Sequence, residues 1–571
     1  MGVQIRGIAA SDGIAIGKAK KFQKQAGIIP KRTLGPEEAE GEWRRFLDAA
    51  ASCKTQMERL IERCGPGERA DILGAHLEML QDPFFLELIE NHIRQQKNAE
   101  WALQLATESI DELFSQSDDE MFRARAADLK DVSARLLREL QGIAETDLSD
   151  LKEPVIVIAK DLMPSDTATI DTGYVLGFAT ELGGKTSHVA IMARGLDIPA
   201  LVGAGGGLYD AVKDGDQLIL DGSAGVVLLS PSEQEQGEYR EKLRSIERAR
   251  NEAMALKDLP AVTLDGKPIT IAANIGSEKE IEIAVQNGAE GVGLLRTEFL
   301  YMGGDHWPTE EEQFTAYRYV VRHAEDKPVI IRTLDIGGDK KLPYFAFDHE
   351  DNPFLGQRAI RFCLNRPDIF KTQLRAILRA SAFGKALIML PMVISPEEIE
   401  RARELIDAAK AELEREGSAF DREIPVGIMI ETPAAVLIAD ALAKKADFFS
   451  IGTNDLTQYL LAVDRGNEKI QHLYDPFHPA VLRAIRQVIE AAHAAGIWAG
   501  MCGEFASDPM AARLLLGMGL DEFSVSPASA PRLKKQIRGF DQKQAEAYAN
   551  IVLSAGSAEE IRRRIQETAD L

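Results

Sequence analysis

The sequence predicts a multidomain α/β protein: a C-terminal (β/α)8 TIM barrel, plus an α/β domain with an inserted α-helical bundle. Three observations predict it. The 571 residues far exceed the length at which a single hydrophobic core stops growing. Residues 261–571 alternate apolar, β-rich segments with helical stretches eight times over, which is the pattern of a barrel. Residues 34–144 carry helix-period seams between two regions that read as strands.

In chain order, residues 4–22 (QIRGIAASDGIAIGKAKKF) alternate apolar and small residues with glycines, and read as one or two short strands, too few to fold alone. Trp43, Phe46, Ala50, Cys53, Met57, Leu60 and Cys64 then recur at spacings of three and four, the seam of a helix packed on another helix. That seam makes Cys53 and Cys64 small core residues, not redox groups. Cys-Gly-Pro-Gly at 64–67 stops the helix, and further helical runs follow through ILGAHLEML, FFLELIENHIRQQ, AEWALQLATESIDELF and ARAADLKDVSARLLREL. From residue 148 the text becomes β/α: PVIVIAK, GYVLGFAT, LVGAG, QLILDG and GVVLLS. The opening strands need partners, so residues 1–22 and 148–229 are assigned to one α/β domain, with 34–144 inserted. Residues 230–260 hold a charged helical run between Pro231 and Pro260 and read as a linker helix.

Bulk chemistry narrows the function. A formal charge of −23 argues against general nucleic-acid or anionic-membrane binding, which needs a positive face. No stretch approaches about 18 uninterrupted apolar residues, so no membrane insertion is expected. Four cysteines without a C-x-x-C pair indicate a reducing, cytoplasmic setting.

The eight barrel segments are ITIAANI, GVGLLRTEF, VIIRTLDIG, ALIMLPMV, VGIMIETPA, FFSIGTNDL, WAGMCGE and EFSVSP. Most end in polar residues, including Asn274, Arg296 with Glu298, Arg332 with Asp335, Glu431, Asn454 with Asp455, and Cys502. C-terminal strand ends build the active sites of such barrels. Arg296 and Arg332 suit a multiply charged phosphate, because each guanidinium offers a planar donor pair. Arg358, in NPFLGQRAI, and Arg465, in AVDRGN, complete the cage. At roughly 1.5–3 kcal/mol per charge-assisted hydrogen bond, three or four hold a small anion against the acidic background. Glu431 and Asp455 offer hard oxygens suited to Mg2+. The competing reading is that these arginines and carboxylates only pair with one another. Cys502 at a strand end suits acid-base work, although an isolated thiol is also compatible with an inert buried role.

A second site is GGKTSHVAIMARGLDIPALVG, residues 183–203. Gly183 and Gly184 permit a tight turn into a helix with Thr186 or Ser187 near its cap. A phosphate on His188 would then face free backbone N–H groups at the helix start. A neutral imidazole is an available nucleophile near pH 7.

These residues carry a resemblance. GGKTSHVAIMARGLDIPALVG resembles the phosphohistidine motif shared by enzyme I of the phosphoenolpyruvate:sugar phosphotransferase system, pyruvate phosphate dikinase and phosphoenolpyruvate synthase. GVGLLRTEFL, RTLDIGGDK, NPFLGQRAIR, IETPAA, FFSIGTNDLTQYLLAVDRGN and GMCGE resemble the phosphoenolpyruvate barrel of the same superfamily. The dikinase and synthase carry a nucleotide domain where this chain has a helical insertion, and the nitrogen-related paralogue carries a GAF domain that is absent here. The resemblance is therefore to the enzyme I family. It implies that the α/β domain is a phosphohistidine domain and that the bundle docks the phosphocarrier HPr. It implies phosphoenolpyruvate on Arg296, Arg332, Asn454 and Arg465, with Arg358 nearby, and Mg2+ on Glu431 and Asp455. His188 would attack phosphorus, Cys502 would protonate the enolate to give pyruvate, and Thr167 would orient His188. Lys185 stands where some relatives carry arginine. A homodimer through the barrels is implied as well, together with a swivel that carries His188 from barrel to bundle. The rival readings are a nucleotide-dependent synthase and a docking protein that has lost its chemistry.

Overall fold

The structure, a computed structural model, describes the chain except residues 1–2, 23–28, 65–67, 116–119, 144–147, 149–150, 164–165, 167–169, 171–172, 185–186, 197, 338–341, 343, 468 and 568–571, and, within helices, the side chains of 62–64, 68–72, 113–115, 120–127, 188, 191 and 195. It divides into two units, Met1–Ile246 and Glu247–Leu571, with the boundary inside the helix Glu233–Met254.

In the first unit the opening stretch forms three strands where the sequence suggests one or two: β1 (Val3–Arg6), β2 (Ile8–Ser11) and β3 (Ile14–Phe22). They join β4 (Val155–Ala159), β5 (Val175–Thr180), β6 (Ala200–Val202), β7 (Gln217–Asp221) and β8 (Val226–Leu229) in one sheet of order β1-β8-β7-β3-β4-β5-β6-β2. Only Gly7 separates β1 from β2, yet they occupy opposite edges, so the sheet must curl until its edges meet. Gly7 suits that crossing: a Cβ there would lie 2.8 Å from the Val202 carbonyl oxygen. The central β3 pairs antiparallel with β7 and parallel with β4, so the chain's first residues are completed by partners some 140 to 200 positions later.

Between β3 and β4 lie the helices Ala39–Cys64, Glu68–Leu80, Pro83–Arg94, Ala99–Ser115 and Glu120–Leu140. Phe46, Cys53 and Met57 are buried along the first and cluster with Phe85, Ile89, Ile93, Leu103 and Leu136 of the others, while Leu60 is buried against Leu73 of the second. Cys53 is fully buried, so its thiol serves as packing volume. In the helix Glu233–Met254, Tyr239 and Leu243 pack on Ile14, Ile219 and Leu228.

The second unit contains a closed barrel of eight parallel strands: β9 (Thr270–Ile275), β10 (Val292–Leu295), β11 (Val329–Arg332), β12 (Ala386–Leu390), β13 (Val426–Ile430), β14 (Phe448–Ile451), β15 (Trp498–Met501) and β16 (Glu522–Val525). Each of the eight apolar segments supplies one strand. Pairing of Phe523 with Ile271 and Val525 with Ala273 shuts the ring. Parallel strands are covered on both faces, which is why they read as continuous apolar runs. Leu294, Ile330, Met389, Met429, Phe448 and Cys502 form a separate interior cluster. Gly427 makes room there, since a Cβ would stand 2.5 Å from the Phe448 ring. The helix Ala530–Arg538 anchors the unit's first residues: Lys534 Nζ, fully buried, donates to the carbonyls of Lys257 (2.7 Å) and Gly288 (2.8 Å).

Candidate active site at the barrel mouth

With all strands parallel, their C-terminal ends share one rim and the residues that follow them converge. Arg296 follows β10, Arg332 ends β11, Glu431 follows β13 and Cys502 follows β15. Asn454 and Asp455 lie in the first turn of the helix Thr453–Leu461, just beyond β14. Arg358 and Arg465 reach in from loops. These eight residues line a single cavity of about 700 Å³.

The arginines are of two kinds. Arg332 and Arg358 are buried and held by carboxylates. Arg332 Nη2 lies 2.7 Å from Glu298 Oε1, and its Nη1 lies 3.2 Å from Asp335 Oδ2. Arg358 Nη2 meets Asp335 Oδ1 at 3.0 Å, and its Nη1 lies 3.5 Å from Asp455 Oδ1 and 3.3 Å from the Tyr459 hydroxyl. Arg296 is exposed, and Arg465 is half-exposed with Nη2 4.0 Å from Asp455 Oδ1. The pairing of arginine with carboxylate that competes with an anion-binding role is thus present, but within the cavity itself, where it fixes two guanidinium planes and leaves Arg296 and Arg465 more open to solvent.

On the acidic side, Glu431 Oε1 accepts from the Met392 N–H at 2.6 Å. Burial, with Asp455 and Asp335 nearby, pushes the Glu431 carboxyl up to about 8. Glu431 Oε2, Asp455 Oδ1 and Arg332 Nε are buried and have no hydrogen-bond partner among the described residues. Three buried polar atoms of cavity-lining residues that make no hydrogen bond to the protein are satisfied by a ligand carrying both signs. Among the described residues no group of three or more His, Cys, Asp and Glu converges as a metal cage. Two carboxylate oxygens that accept no hydrogen bond, Glu431 Oε2 and Asp455 Oδ1, nevertheless fit Mg2+, which takes one or two carboxylates and fills its shell with water and phosphate.

Cys502 is buried among Leu294 and Met429, and its N–H donates to the Ile451 carbonyl at 3.1 Å. Burial pushes its thiol up to about 11, so it carries its proton at neutral pH. Asn454 exchanges hydrogen bonds with Glu504, receiving the Glu504 N–H at 3.0 Å, while its own carbonyl accepts from the Tyr474 hydroxyl at 3.1 Å. Glu298 and Asp335 were visible in the sequence as strand-end polar residues, without a role. Tyr459 lies within the motif FFSIGTNDLTQYLLAVDRGN but gave no hint of a role, and Tyr474, in a loop, carried no sequence signal.

The remaining two candidates belong to the first unit. His188 is the first residue of the helix His188–Gly195, capped by Ser187, whose hydroxyl accepts from the Ala190 N–H at 3.4 Å. Gly183, at φ +103°, takes the left-handed conformation that the preceding turn needs. Thr167 and Lys185 lie outside the described residues.

Comparison with known proteins bears on this arrangement. Residues 6–125 match the PEP-utilising enzyme N-terminal family, 151–225 its mobile domain and 250–542 its PEP-binding domain. The phosphoenolpyruvate-protein phosphotransferase of Haemophilus influenzae is 46% identical, over 99% of this chain and 98% of that protein. Its Bacillus subtilis counterpart is 44% identical, over 99% of both chains. A solution structure described as Enzyme I is 40% identical over 43% of this chain and 99% of that one, with a TM-score of 0.40. The full-length match and the cationic, carboxylate-bearing cavity at the barrel mouth lead to one conclusion: the chain belongs to the phosphoenolpyruvate-protein phosphotransferase family of PEP-utilising enzymes.

Proposed function

We propose that the chain transfers the phosphoryl group of phosphoenolpyruvate to its own His188 and then to a histidine of the phosphocarrier HPr, releasing pyruvate, as the first step of the sugar phosphotransferase system. Residues 1–22 with 148–229 form the phosphohistidine domain, 34–144 the HPr-docking bundle, 230–260 the linker and 261–571 the phosphoenolpyruvate-binding and dimer-forming barrel. The protein works in the cytoplasm as a homodimer; no helix among the described residues is long and apolar enough to cross a membrane.

Arg296, Arg332, Asn454 and Arg465, with Arg358 beside them, bind the substrate's carboxylate and phosphate. Buried Arg332 and Arg358 arrive already oriented by Glu298 and Asp335, so little reorganisation is needed as charge shifts in the transition state. Mg2+, held by Glu431 and Asp455, would supply charge neutralisation on the transferring group. A ring nitrogen of His188 attacks phosphorus as the bond from phosphorus to the enol oxygen breaks. The enolate that leaves takes a proton at C3 from Cys502, whose thiol is loaded at neutral pH. Thr167 orients the imidazole. To be loaded at the barrel and unloaded at the bundle, the phosphohistidine domain swivels on the linker.

The observation that carries this reading is the convergence of the eight rim residues on one cavity whose orphaned atoms include both a guanidinium N–H and carboxylate oxygens. The test is mass spectrometry after incubation with phosphoenolpyruvate and Mg2+. An acid-labile phosphoryl adduct is expected on the native chain and absent from His188→Ala; an adduct that survives in the variant overturns the reading. ATP in place of phosphoenolpyruvate should leave no adduct.

A further inference from the structure

Asn274 is the next-to-last residue of β9 and does not line the cavity, yet its amide is fully engaged with residues that do or that flank them. Its Nδ2 donates to the main-chain carbonyls of Cys502 at 2.9 Å and Ser524 at 3.0 Å. Its Oδ1 accepts from the Ser524 hydroxyl at 2.6 Å. One side chain therefore ties the ends of β15 and β16 to β9, across the seam where the ring closes, from positions 228 and 250 residues away.

Cys502 is otherwise restrained from the opposite side. Its N–H is held by the Ile451 carbonyl, and Gly503 is pressed so close to Thr453 that any added Cβ would collide with the Thr453 hydroxyl and stand 2.6 Å from its backbone nitrogen. With its N–H held by β14 and its carbonyl held by the Asn274 amide, both peptide units that flank the Cys502 Cα are fixed, and with them the direction of the Cα–Cβ bond that carries the sulfur; Sγ itself lies 3.9 Å from the Ile451 carbonyl oxygen.

We propose that Asn274 is a positioning residue for proton delivery by Cys502: by fixing the Cys502 carbonyl it aims Sγ at one face of the substrate's C3. The proposal rests on the reading of Cys502 as the acid. In that step the enolate's C2–C3 π pair takes the thiol proton to form a C–H bond, the C2–O bond becomes a carbonyl, and the S–H pair stays on sulfur as thiolate until solvent water returns a proton. A thiol aimed at one face adds its proton to that face only. An enol that escapes unprotonated takes a proton from water on either face.

The face is readable. The (Z)-3-fluoro analogue of phosphoenolpyruvate, turned over in D2O, gives a product whose C3 carries H, D and F, and reduction with lactate dehydrogenase converts its configuration into diastereomers that fluorine NMR resolves. The native chain should give one diastereomer. Asn274→Ala, which has no donor, and the near-isosteric Asn274→Asp, which has at most one O–H where the amide supplies two N–H donors, should give a mixture, approaching about 1:1 for Asn274→Ala, with a fall in kcat of about tenfold to a hundredfold. Single-turnover phosphorylation of His188 should be unchanged and KM should stay within about threefold. Ser524→Ala deletes only the hydroxyl that orients Asn274 and should give a smaller loss of facial preference with the fold intact. A single diastereomer from Cys502→Ala would refute the acid assignment itself. A mixture from Cys502→Ala, together with a single diastereomer from Ser524→Ala or from either Asn274 variant, would overturn the positioning role alone.

Discussion

Asp335 and Arg358 form a buried ion pair joined by three hydrogen bonds, with Nη2 3.0 Å from Oδ1 and 3.1 Å from Oδ2 and Nε 3.3 Å from Oδ1. The same carboxylate also stands 3.2 Å from Arg332 Nη1, so one acidic group sets the planes of two guanidinium groups. Removing its charge leaves two buried cations short of a partner. Breaking one side of such a buried pair costs about 3–5 kcal/mol. Asp335→Asn should therefore lower the barrel's denaturant midpoint. At the site two effects oppose: added positive potential favours an anionic substrate, while loss of orientation penalises the transition state. Glu298 and Asp455 remain beside the two guanidinium groups to offset the potential, so orientation dominates. Calorimetry should find phosphoenolpyruvate binding retained while kcat falls by about tenfold or more; weakened binding with normal kcat would contradict this.

Arg332 and Arg465 should answer differently to the same substitution. Arg332 uses separate nitrogens for Glu298 and Asp335, and Lys cannot span both. Arg332→Lys should lose about a hundredfold or more in kcat/KM, comparable to removal of one preorganised donor. Arg465 is 38% exposed, with its Nη2 4.0 Å from its nearest carboxylate oxygen, so Arg465→Lys should act mainly on KM. Steady-state pyruvate release for both variants decides it, and equal losses would mean that burial and pairing are irrelevant to the arginines' work.

The barrel was legible because its strands are buried on both faces and so leave long apolar runs, and because the rule of polar strand ends needs no knowledge of pairing. That rule picked out Arg296, Arg332, Glu431, Asn454, Asp455 and Cys502, and the loop motifs added Arg358 and Arg465. What it could not reveal is who holds whom. Glu298 to Arg332 spans 34 residues and Asn274 to Cys502 spans 228, and hydrogen bonds between strand ends follow no periodicity. The curl of the first unit's sheet was equally hidden, since it depends on β1 and β2 taking opposite edges with one glycine between them.

Proton delivery by Cys502 gives a separable defect. With the thiol up at about 11, the donor stays loaded throughout the neutral range, so its own titration should cost no rate until pH approaches about 10. Cys502→Ala should phosphorylate His188 in a single turnover at near-native rate, yet release pyruvate about a hundredfold to a thousandfold more slowly. Rapid-quench measurement of both steps distinguishes this from a folding defect, which would slow them together.

One buried carboxyl, Glu522, lies outside the reaction and tunes stability with pH. Glu522 begins β16 and is buried inside the barrel, with Oε1 lacking a hydrogen-bond partner among the described residues. It occupies space that Gly293 vacates, since a Cβ there would stand 2.5 Å from Oε1. Burial, with a smaller contribution from Asp521, raises it from an ordinary 4.5 to about 8. The folded chain therefore keeps a proton that the unfolded chain releases above about pH 4.5. Its contribution to stability is complete below that pH and is lost as pH rises towards 8, by at most about 1.4 kcal/mol per pH unit across the window. Glu522→Gln is neutral at every pH and lacks this slope. Denaturant midpoints of the barrel at pH 5, 6.5 and 8 should fall for the native chain more steeply than for the variant, leaving Glu522→Gln the more stable of the two at pH 8. Parallel pH profiles would mean that Glu522 ionises in the folded barrel as readily as in water, and that a cation or water reaches it there.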